Sequence, residues 1–206
     1  MQVLFADSHI ACVDKPSGLR SVPGKGDAGF DCVVSRLIDL YGWAREAHRL
    51  DMDTSGVMVA ALNPEAHRDL CRQFRDRSVE KRYEAIVFAH PADDHGEIDL
   101  PMRADIVHRP RQVIDREQGK AAVTRWRVLE RMARGTARVA MTPLTGRSHQ
   151  LRVHLASVGH PILGDDLYAP ADVLAMASRL LLHATRLAID HPQSGKRLEF
   201  ASPCPF

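Results

Sequence analysis

The sequence predicts an α+β fold, a mixed and mainly antiparallel β-sheet with a few packed helices. Two observations predict it. Strand-like stretches outnumber helical ones, and several neighbouring strands are joined by tight turns, which only antiparallel strands allow. A third sets the organisation: no linker rich in Pro, Gly or Ser divides the chain, so residues 1–206 are expected to form a single domain. That length buries a substantial core.

Each element has a local reason. Val3–Phe5 and Ile10–Val13 flank Ala6-Asp7-Ser8-His9 and read as a β-hairpin, ended by the turn Lys15-Pro16-Ser17-Gly18. Ser21 to Gly29 is a glycine-rich loop. Asp31 is a candidate N-cap for a helix with Val33, Val34, Leu37 and Ile38 on one face and Gly42 past its end. Val57–Leu62 is a valine-rich apolar run and reads as a buried strand. Asn63-Pro64 opens a helix to about Phe74, with Leu70 and Phe74 inward and Arg68, Arg72 and Arg75 outward. Arg82–Phe88 is strand-like, with Tyr83, Ala85 and Val87 on one face. Further strands are expected at Glu97–Leu100, Gln112–Asp115, Ala121–Met132 and Ala137–Met141, the last two joined by a turn at Arg134-Gly135. Ser148–Val158 reads as a short helix with Leu151, Leu155 and Val158 inward, stopped by Gly159. A short helix at Ala171–Met176 follows, and then a closing hairpin, Leu187–Asp190 with Leu198–Ala201.

Composition excludes some classes. The chain is 45% hydrophobic and 26% charged, ordinary for a globular protein, with a formal charge of only +2. Charge is unevenly spread. Arg68–Arg82 holds six basic residues against three acidic, and Arg103–Arg127 seven against three, mostly arginine. Guanidinium forks suit phosphate, so such segments are candidate nucleic-acid footprints as well as solvated faces. Four scattered cysteines without a C-x-x-C pair suggest neither zinc nor disulfides, and so a cytoplasmic protein with reduced thiols. No leader and no membrane-spanning segment is expected.

The most suggestive stretch is His48-Arg49-Leu50-Asp51-Met52-Asp53-Thr54-Ser55-Gly56. A carboxylate stands there in a polar turn, beside an arginine and a histidine, at the lip of a buried strand. Loops fixed on rigid scaffold are where catalytic groups tend to sit. Residue chemistry alone leaves Asp51 and Asp53 equal candidates, the other capping or bonding the turn. His149 and His154 are five apart, which is not the spacing of a helical zinc pair.

The motif His48-Arg49-Leu50-Asp51-x-x-Thr54-Ser55-Gly56 resembles the signature of the RluA family of pseudouridine synthases. Four more blocks agree in order: Asp7-x-His9-Ile10 through Asp14-Lys15-Pro16-Ser17-Gly18-Leu19; Lys81-Arg82-Tyr83; Thr145–His154 with Gly159–Asp165; and Leu181–Ala184 with His191-Pro192. Asp14 departs from the asparagine common in the family. The resemblance covers nearly the whole chain and is to the short form, without an S4-type RNA-binding domain.

The resemblance implies an isomerase that breaks the N1–C1′ bond of a uridine in RNA, turns the base and joins C5 to C1′. Nothing is added or removed, so no cofactor and no metal is expected. It implies Asp51 as the acting carboxylate, by attack on C1′, attack on the base or removal of the C2′ proton. An arginine of the 146–154 block is implied as its cationic partner. Arg152 is favoured, one turn into the helix, and Arg147 is better placed for RNA phosphate. Tyr83 is implied as the ring stacking on the target base, its hydroxyl handling the C5 proton, with Leu182 as an apolar wall. Either could be plain core if taken alone. The target base must leave its stack; Arg49 is the candidate to hold the gap, and His48 either joins it or braces the turn. The expected partner is a stem-loop of large-subunit ribosomal RNA or of a tRNA anticodon arm, bound by a cytoplasmic monomer, with neither DNA nor membrane. Two other readings stand beside this one: a glycoside or nucleoside hydrolase using Asp51 and Asp53 as paired carboxylates, and an RNA-binding module without catalysis.

Overall fold

A computed structural model describes residues 1–24 and 31–206; the end of the loop expected over 21–29 lies outside the described residues. Contacts divide the chain into two units, one of Met1–Lys81 with His183–Pro205, the other of Arg82–Leu182 with Phe206.

The first unit is built on β4 (Ser55–Ala61), every residue of which is buried. Val57, Val59 and Ala61 pack with Leu70 and Ile189 on one face, and Met58 and Ala60 are buried on the other. A strand covered on both faces needs an unbroken apolar run, which is what Val57–Leu62 supplies. The hairpin β1 (Gln2–Ala6) and β2 (Ile10–Lys15) pairs antiparallel, and β2 pairs antiparallel with β4. The short β3 (Arg45–Glu46) also pairs with β4. The long closing strand β11 (Leu182–Asp190) runs parallel to β4 and carries β12 (Arg197–Ala201) antiparallel to it.

Two helices belong to this unit. α2 (Pro64–Asp76) is capped by Asn63, whose side chain accepts from the Ala66 N–H, and begins with Pro64, as the sequence predicts. α1 (Val33–Tyr41) ends at Gly42 with φ 80° as expected, but its N-cap is Cys32, not Asp31. The Cys32 sulfur accepts from the Ser35 N–H, and Ser35 Oγ accepts from the Cys32 N–H. The Asp31 carboxylate forks onto Arg36 instead. Ile38, expected on the inner face, is 42% exposed.

In the second unit the sheet order is β5 (Glu80–Phe88), β10 (Thr136–Pro143), β9 (Val123–Met132) and β6 (His95–Asp99), all antiparallel. β9 and β10 are joined by a 3₁₀ turn at Ala133–Gly135, with Arg134 and Gly135 both at positive φ. A separate hairpin pairs β7 (Met102–Ala104) with β8 (Gln112–Ile114). The sequence marked β8 but not β7, which is only three residues long.

α3 (Gln150–Ser157) lies against this sheet and is buried from Gln150 through Leu155. Val158, expected inward, is 42% exposed, because the helix ends before it. α4 (Ala171–Leu174) is a single turn. The α+β class with a mostly antiparallel sheet is therefore as predicted, and the β4–β11 pair is parallel.

β4 and β11 meet at Gly56, paired with Ala184, with φ +112°. A Cβ there would stand 2.2 Å from the Ala184 carbonyl oxygen. Gly56→Ala is expected to destabilise the fold by about 2–4 kcal/mol, from backbone strain plus overpacking. Urea denaturation measures it, and a midpoint equal to the parent's would show that the two strands can part without cost.

Candidate active site

The turn carrying Asp51 is clamped from below by the segment after β2. Lys15 is fully buried, and its ammonium donates to the carbonyls of Pro16 at 3.0 Å, Leu19 at 2.7 Å and Met52 at 2.8 Å. The Gly18 N–H donates to the same Met52 carbonyl at 3.0 Å. Ser17 Oγ donates to the Asp53 carbonyl at 2.8 Å. Ser21 Oγ both donates to the Leu50 carbonyl and accepts from the Leu50 N–H. The Thr54 N–H closes the turn onto the Asp51 carbonyl at 3.2 Å. Residues 50, 51, 52 and 53 are thus each held by their backbone, and the Asp51 side chain, half-buried, leaves a fixed platform.

The flanks of the turn are fixed as well. Thr54 and Ser55 are buried, and Ser55 Oγ lies 2.9 Å from His183 Nδ1. His183 Nε2 lies 3.2 Å from both the carbonyl oxygen and Oγ of Ser202, which ties the ring to the chain beyond β12. Arg49 is exposed.

His48 is a brace. The Val59 N–H donates to its Nε2 at 3.1 Å, and its ring stacks on Phe74 with centroids 4.4 Å apart. Desolvation, with a smaller push from the Lys81 charge, lowers its pKa from the ordinary 6.5 to about 3. The Val59 N–H on Nε2 and the stacked Phe74 ring are the contacts that the bracing alternative for His48 calls for.

The second unit presents the aromatic and the arginine. On β5, Tyr83, Ala85 and Val87 lie opposite Met141, Val139 and Ala137 of β10. Tyr83 is half-buried and packs on the cluster that contains Leu151, Leu155 and Leu182. Leu182 is therefore core of this unit on the same apolar cluster as the ring, as an apolar wall would be.

α3 is anchored by Gln150. Its Oε1 accepts from Thr145 Oγ at 2.7 Å and from the Arg147 N–H at 3.0 Å; its Nε2 donates to the Val123 carbonyl and to Thr124 Oγ, each at 3.0 Å. One side chain thus ties the turn before the helix to β9. Two residues on, Arg152 is buried, with 2% of its side chain exposed. Its Nε donates to Asp165 Oδ2 at 2.9 Å, and its Nη2 donates to Asp165 Oδ1 at 2.6 Å and Asp166 Oδ1 at 2.8 Å. Its guanidinium carbon lies 5.3 Å from the Tyr168 ring centroid. Arg147, by contrast, is exposed, with Nε on the Ala121 carbonyl at 3.2 Å. His154 is core: Nδ1 meets Thr124 Oγ and Nε2 the Leu100 carbonyl, and desolvation lowers its pKa. Among the described residues no group of three or more His, Cys, Asp or Glu is arranged to hold a metal ion.

The predicted residues thus fall into two constellations, His48, Arg49 and Asp51 in the first unit and Tyr83, Arg147, Arg152 and Leu182 in the second. The residues that the sequence reading missed are the supports: Lys15, Ser17, Ser21, Gln150, Asp165 and Tyr168. Most stand inside the matching blocks, yet nothing local marks them as buried. The basic segments are partly neutralised: Arg68, Arg72 and Arg75 pair with Glu65, Asp69 and Asp76, Arg103 with Asp115, and Arg125 with Glu97.

A prediction follows from His48. Its folded pKa lies below its unfolded value, so between about 3 and 6.5 the unfolded chain binds the extra proton. That stabilising contribution is complete above 6.5 and declines as pH falls through this window. His154 acts with the same sign. Between pH 7 and 5, above the range of carboxylates such as Asp7 and Asp115, whose pKa values are lowered, the parent should lose stability more steeply than His48→Gln. Parallel curves of urea midpoint against pH would contradict it.

Comparison with known proteins agrees with this geometry. A family model described as RNA pseudouridylate synthase matches residues 9–157. The chain is 47% identical over 206 residues to the dual-specificity RNA pseudouridine synthase RluA of Haemophilus influenzae, covering 100% of this chain and 94% of that one. It is 50% identical over 204 residues to the protein of the same name from Escherichia coli K12, covering 99% and 93%. Among solved structures, human RNA pseudouridylate synthase domain containing 1 superposes with a TM-score of 0.83 at 28% identity, covering 100% of this chain and 84% of that one. Human RNA pseudouridylate synthase domain containing 4 gives 0.79 at 29%, covering 99% and 88%. Likeness on this scale, in sequence and in fold, leaves one assignment: the chain belongs to the RluA family of RNA pseudouridine synthases, isomerases that convert uridine to pseudouridine within RNA.

Proposed function

We propose that this chain acts as one catalytic domain on stem-loops of two RNAs, large-subunit ribosomal RNA and a tRNA anticodon arm, with Asp51 as the acting carboxylate. The observation that carries the reading is the 47–50% identity, over essentially full length, to enzymes named for dual specificity. We place this activity in the cytoplasm, by a monomer.

The chemistry assigns the roles. The N1–C1′ bond breaks, the freed uracil turns, C5 bonds to C1′, and the proton lost from C5 is balanced by one gained at N1. Each route begins with an ionised Asp51 carboxylate, whether it adds to C1′, adds to the base or takes the C2′ proton. Arg152 is the cation that keeps Asp51 ionised as solvent is excluded. Tyr83 stacks on the uracil, and its hydroxyl takes part in moving the C5 proton. Leu182 supplies the apolar wall on which the ring rests. Arg49 holds the space left by the extruded nucleotide, its planar head stacking there and pairing with phosphate, and Arg147 takes phosphate. The backbone grip falls to exposed arginines of the β7–β8 hairpin and the turn after it, Arg109, Arg111 and Arg116.

Asp51→Ala is expected to lower pseudouridine formation by at least on the order of 10³-fold, with RNA affinity within about threefold of the parent. Mapping pseudouridines in cells with and without the gene tests the substrates: sites lost in both RNAs support the proposal, and loss in only one removes the dual specificity. Release of free uracil by the parent would mean hydrolysis. Separately, Arg49→Ala should reduce the slope of log affinity against log salt by about one. An unchanged slope in filter-binding titrations removes Arg49 from phosphate.

A further inference from the structure

We propose that Arg77 and Lys81 form a phosphate subsite at the C-terminal end of α2, which takes an RNA phosphodiester close to the extruded nucleotide. The proposal rests on the reading above that the chain acts on an RNA stem-loop.

Three observations converge. First, these two cations are what is left once the neighbouring carboxylates have found partners. Residues 65–81 hold four aspartates and glutamates against five arginines and lysines. Glu65 pairs with Arg68, Asp69 with Arg72, Asp76 with Arg75, and Glu80 with Arg197. Among the described residues no carboxylate pairs with Arg77 or Lys81, and no other side chain or carbonyl accepts from them. Of the basic segment that the sequence offers as a footprint, the helical arginines are neutralised and this pair is not.

Second, both side chains stand where the fold alone does not favour them. Arg77 ends α2 in the left-handed region, at φ 60° and ψ 27°. Glycine is the residue that adopts this cap without strain, so the backbone gains nothing from a side chain here. Lys81 is half-buried, and burial, with a smaller push from the Arg77 charge, lowers its pKa. Two like charges that repel each other, one of them partly out of water, are stabilised together by a bound anion.

Third, the pair stands beside the motif loop of its own unit. The His48 ring stacks on Phe74, in the last turn of α2 and three residues before Arg77, and it feels the Lys81 charge. His48 opens the stretch that carries the exposed Arg49 and then Asp51. An anion that arrives at this place with an RNA substrate is a backbone phosphate. A guanidinium fork and a compact ammonium are complementary ways to hold one, the first fixing direction and the second adding a point charge.

The test uses the full-length protein and a synthetic stem-loop on which the parent forms pseudouridine, with dissociation constants measured over a range of salt. Arg77→Gly and Lys81→Gln are each expected to weaken binding on the order of 10-fold at low salt. Each should also reduce the slope of log affinity against log salt by about one. Arg68→Gln removes an equal charge from the same helix, where Glu65 already pairs with it, and should change the slope by less than about half as much. Arg77→Gly should at the same time hold or raise the urea midpoint, because glycine favours the left-handed cap. A guanidinium that served only the carbonyl end of α2 would instead lower that midpoint and leave the salt slope unchanged; that outcome overturns the proposal. Stem-loops carrying one uncharged methylphosphonate each then locate the phosphate. One replacement within about three nucleotides of the target uridine should weaken the parent and leave Lys81→Gln unaffected, because both changes remove the same contact. Equal weakening of parent and variant at every position overturns the proposal. Should Lys81→Gln fail to fold, Arg77→Gly is read against the same replacements with the same two outcomes. A parent that binds and modifies the stem-loop beside unchanged variants overturns the subsite alone. A parent that binds no stem-loop overturns the RNA reading beneath it and the subsite with it.

Discussion

A buried ammonium surrounded by carbonyl oxygens is the interaction on which the first half of the molecule depends. Taking a lysine out of water is costly unless each of its three donors finds a partner. Lys15 finds the carbonyls of Pro16, Leu19 and Met52, so the lysine is neutral in its energetic effect only while those three backbone groups stay in place. Two of the three are local, and the third belongs to the turn that carries Asp51. Displacing that turn would take one of these carbonyls away from a buried ammonium. The turn carrying Asp51 is held for this reason, although it is a loop.

The second unit solves a matching problem with different chemistry. Here the polar groups come from one helix, α3, which is buried along most of its length. Gln150 ties its start to β9, Arg152 is forked onto Asp165, and His154 joins Thr124 to the Leu100 carbonyl. Successive even-numbered residues on a helix point about 200° apart, so these side chains reach different neighbours. The helix is thereby tied to the sheet at Val123 and Thr124, to the strand end at Leu100 and to the turn at Asp165. The apolar Leu151 and Leu155, four apart, share the face that meets Tyr83 and Leu182.

The legible parts of the fold were those where one local rule sufficed. β4 was readable as an unbroken apolar run, α2 from Asn63-Pro64, and β5 from its period of two. Where a rule had competitors the reading slipped. Asp31 and Cys32 stand side by side before α1, and the ordinary capping preference selects the aspartate. Arg36, one turn on, recruits that carboxylate and leaves the cap to the cysteine. β3 and β7 have two and three residues, too few for a period to show. For the site, Asp51, Tyr83 and Arg152 were singled out because the motif names them. Lys15, Gln150 and Asp165 were not, because their importance lies in being buried against distant partners. His48 fell between: its place in the motif left RNA holding and bracing open, and its contacts with the Val59 N–H and the Phe74 ring come from residues distant in sequence.

The choice among chemistries turns on the same supports. A hydrolase with paired carboxylates needs two acidic side chains facing one anomeric carbon across several ångströms. Asp51 and Asp53 share one tight turn whose backbone is pinned residue by residue, and the family assignment is to isomerases rather than hydrolases. A non-catalytic RNA-binding module would keep arginines at its surface and let its core become apolar. This chain does the opposite at Arg152, burying a guanidinium against a buried carboxylate. Replacing a buried ion pair by well-packed apolar residues is often neutral or favourable by about 1–4 kcal/mol. Retaining Arg152 and Asp165 in the dry interior is thus not explained by stability. What the pair supplies is a guanidinium held in one plane by the turn at Asp165.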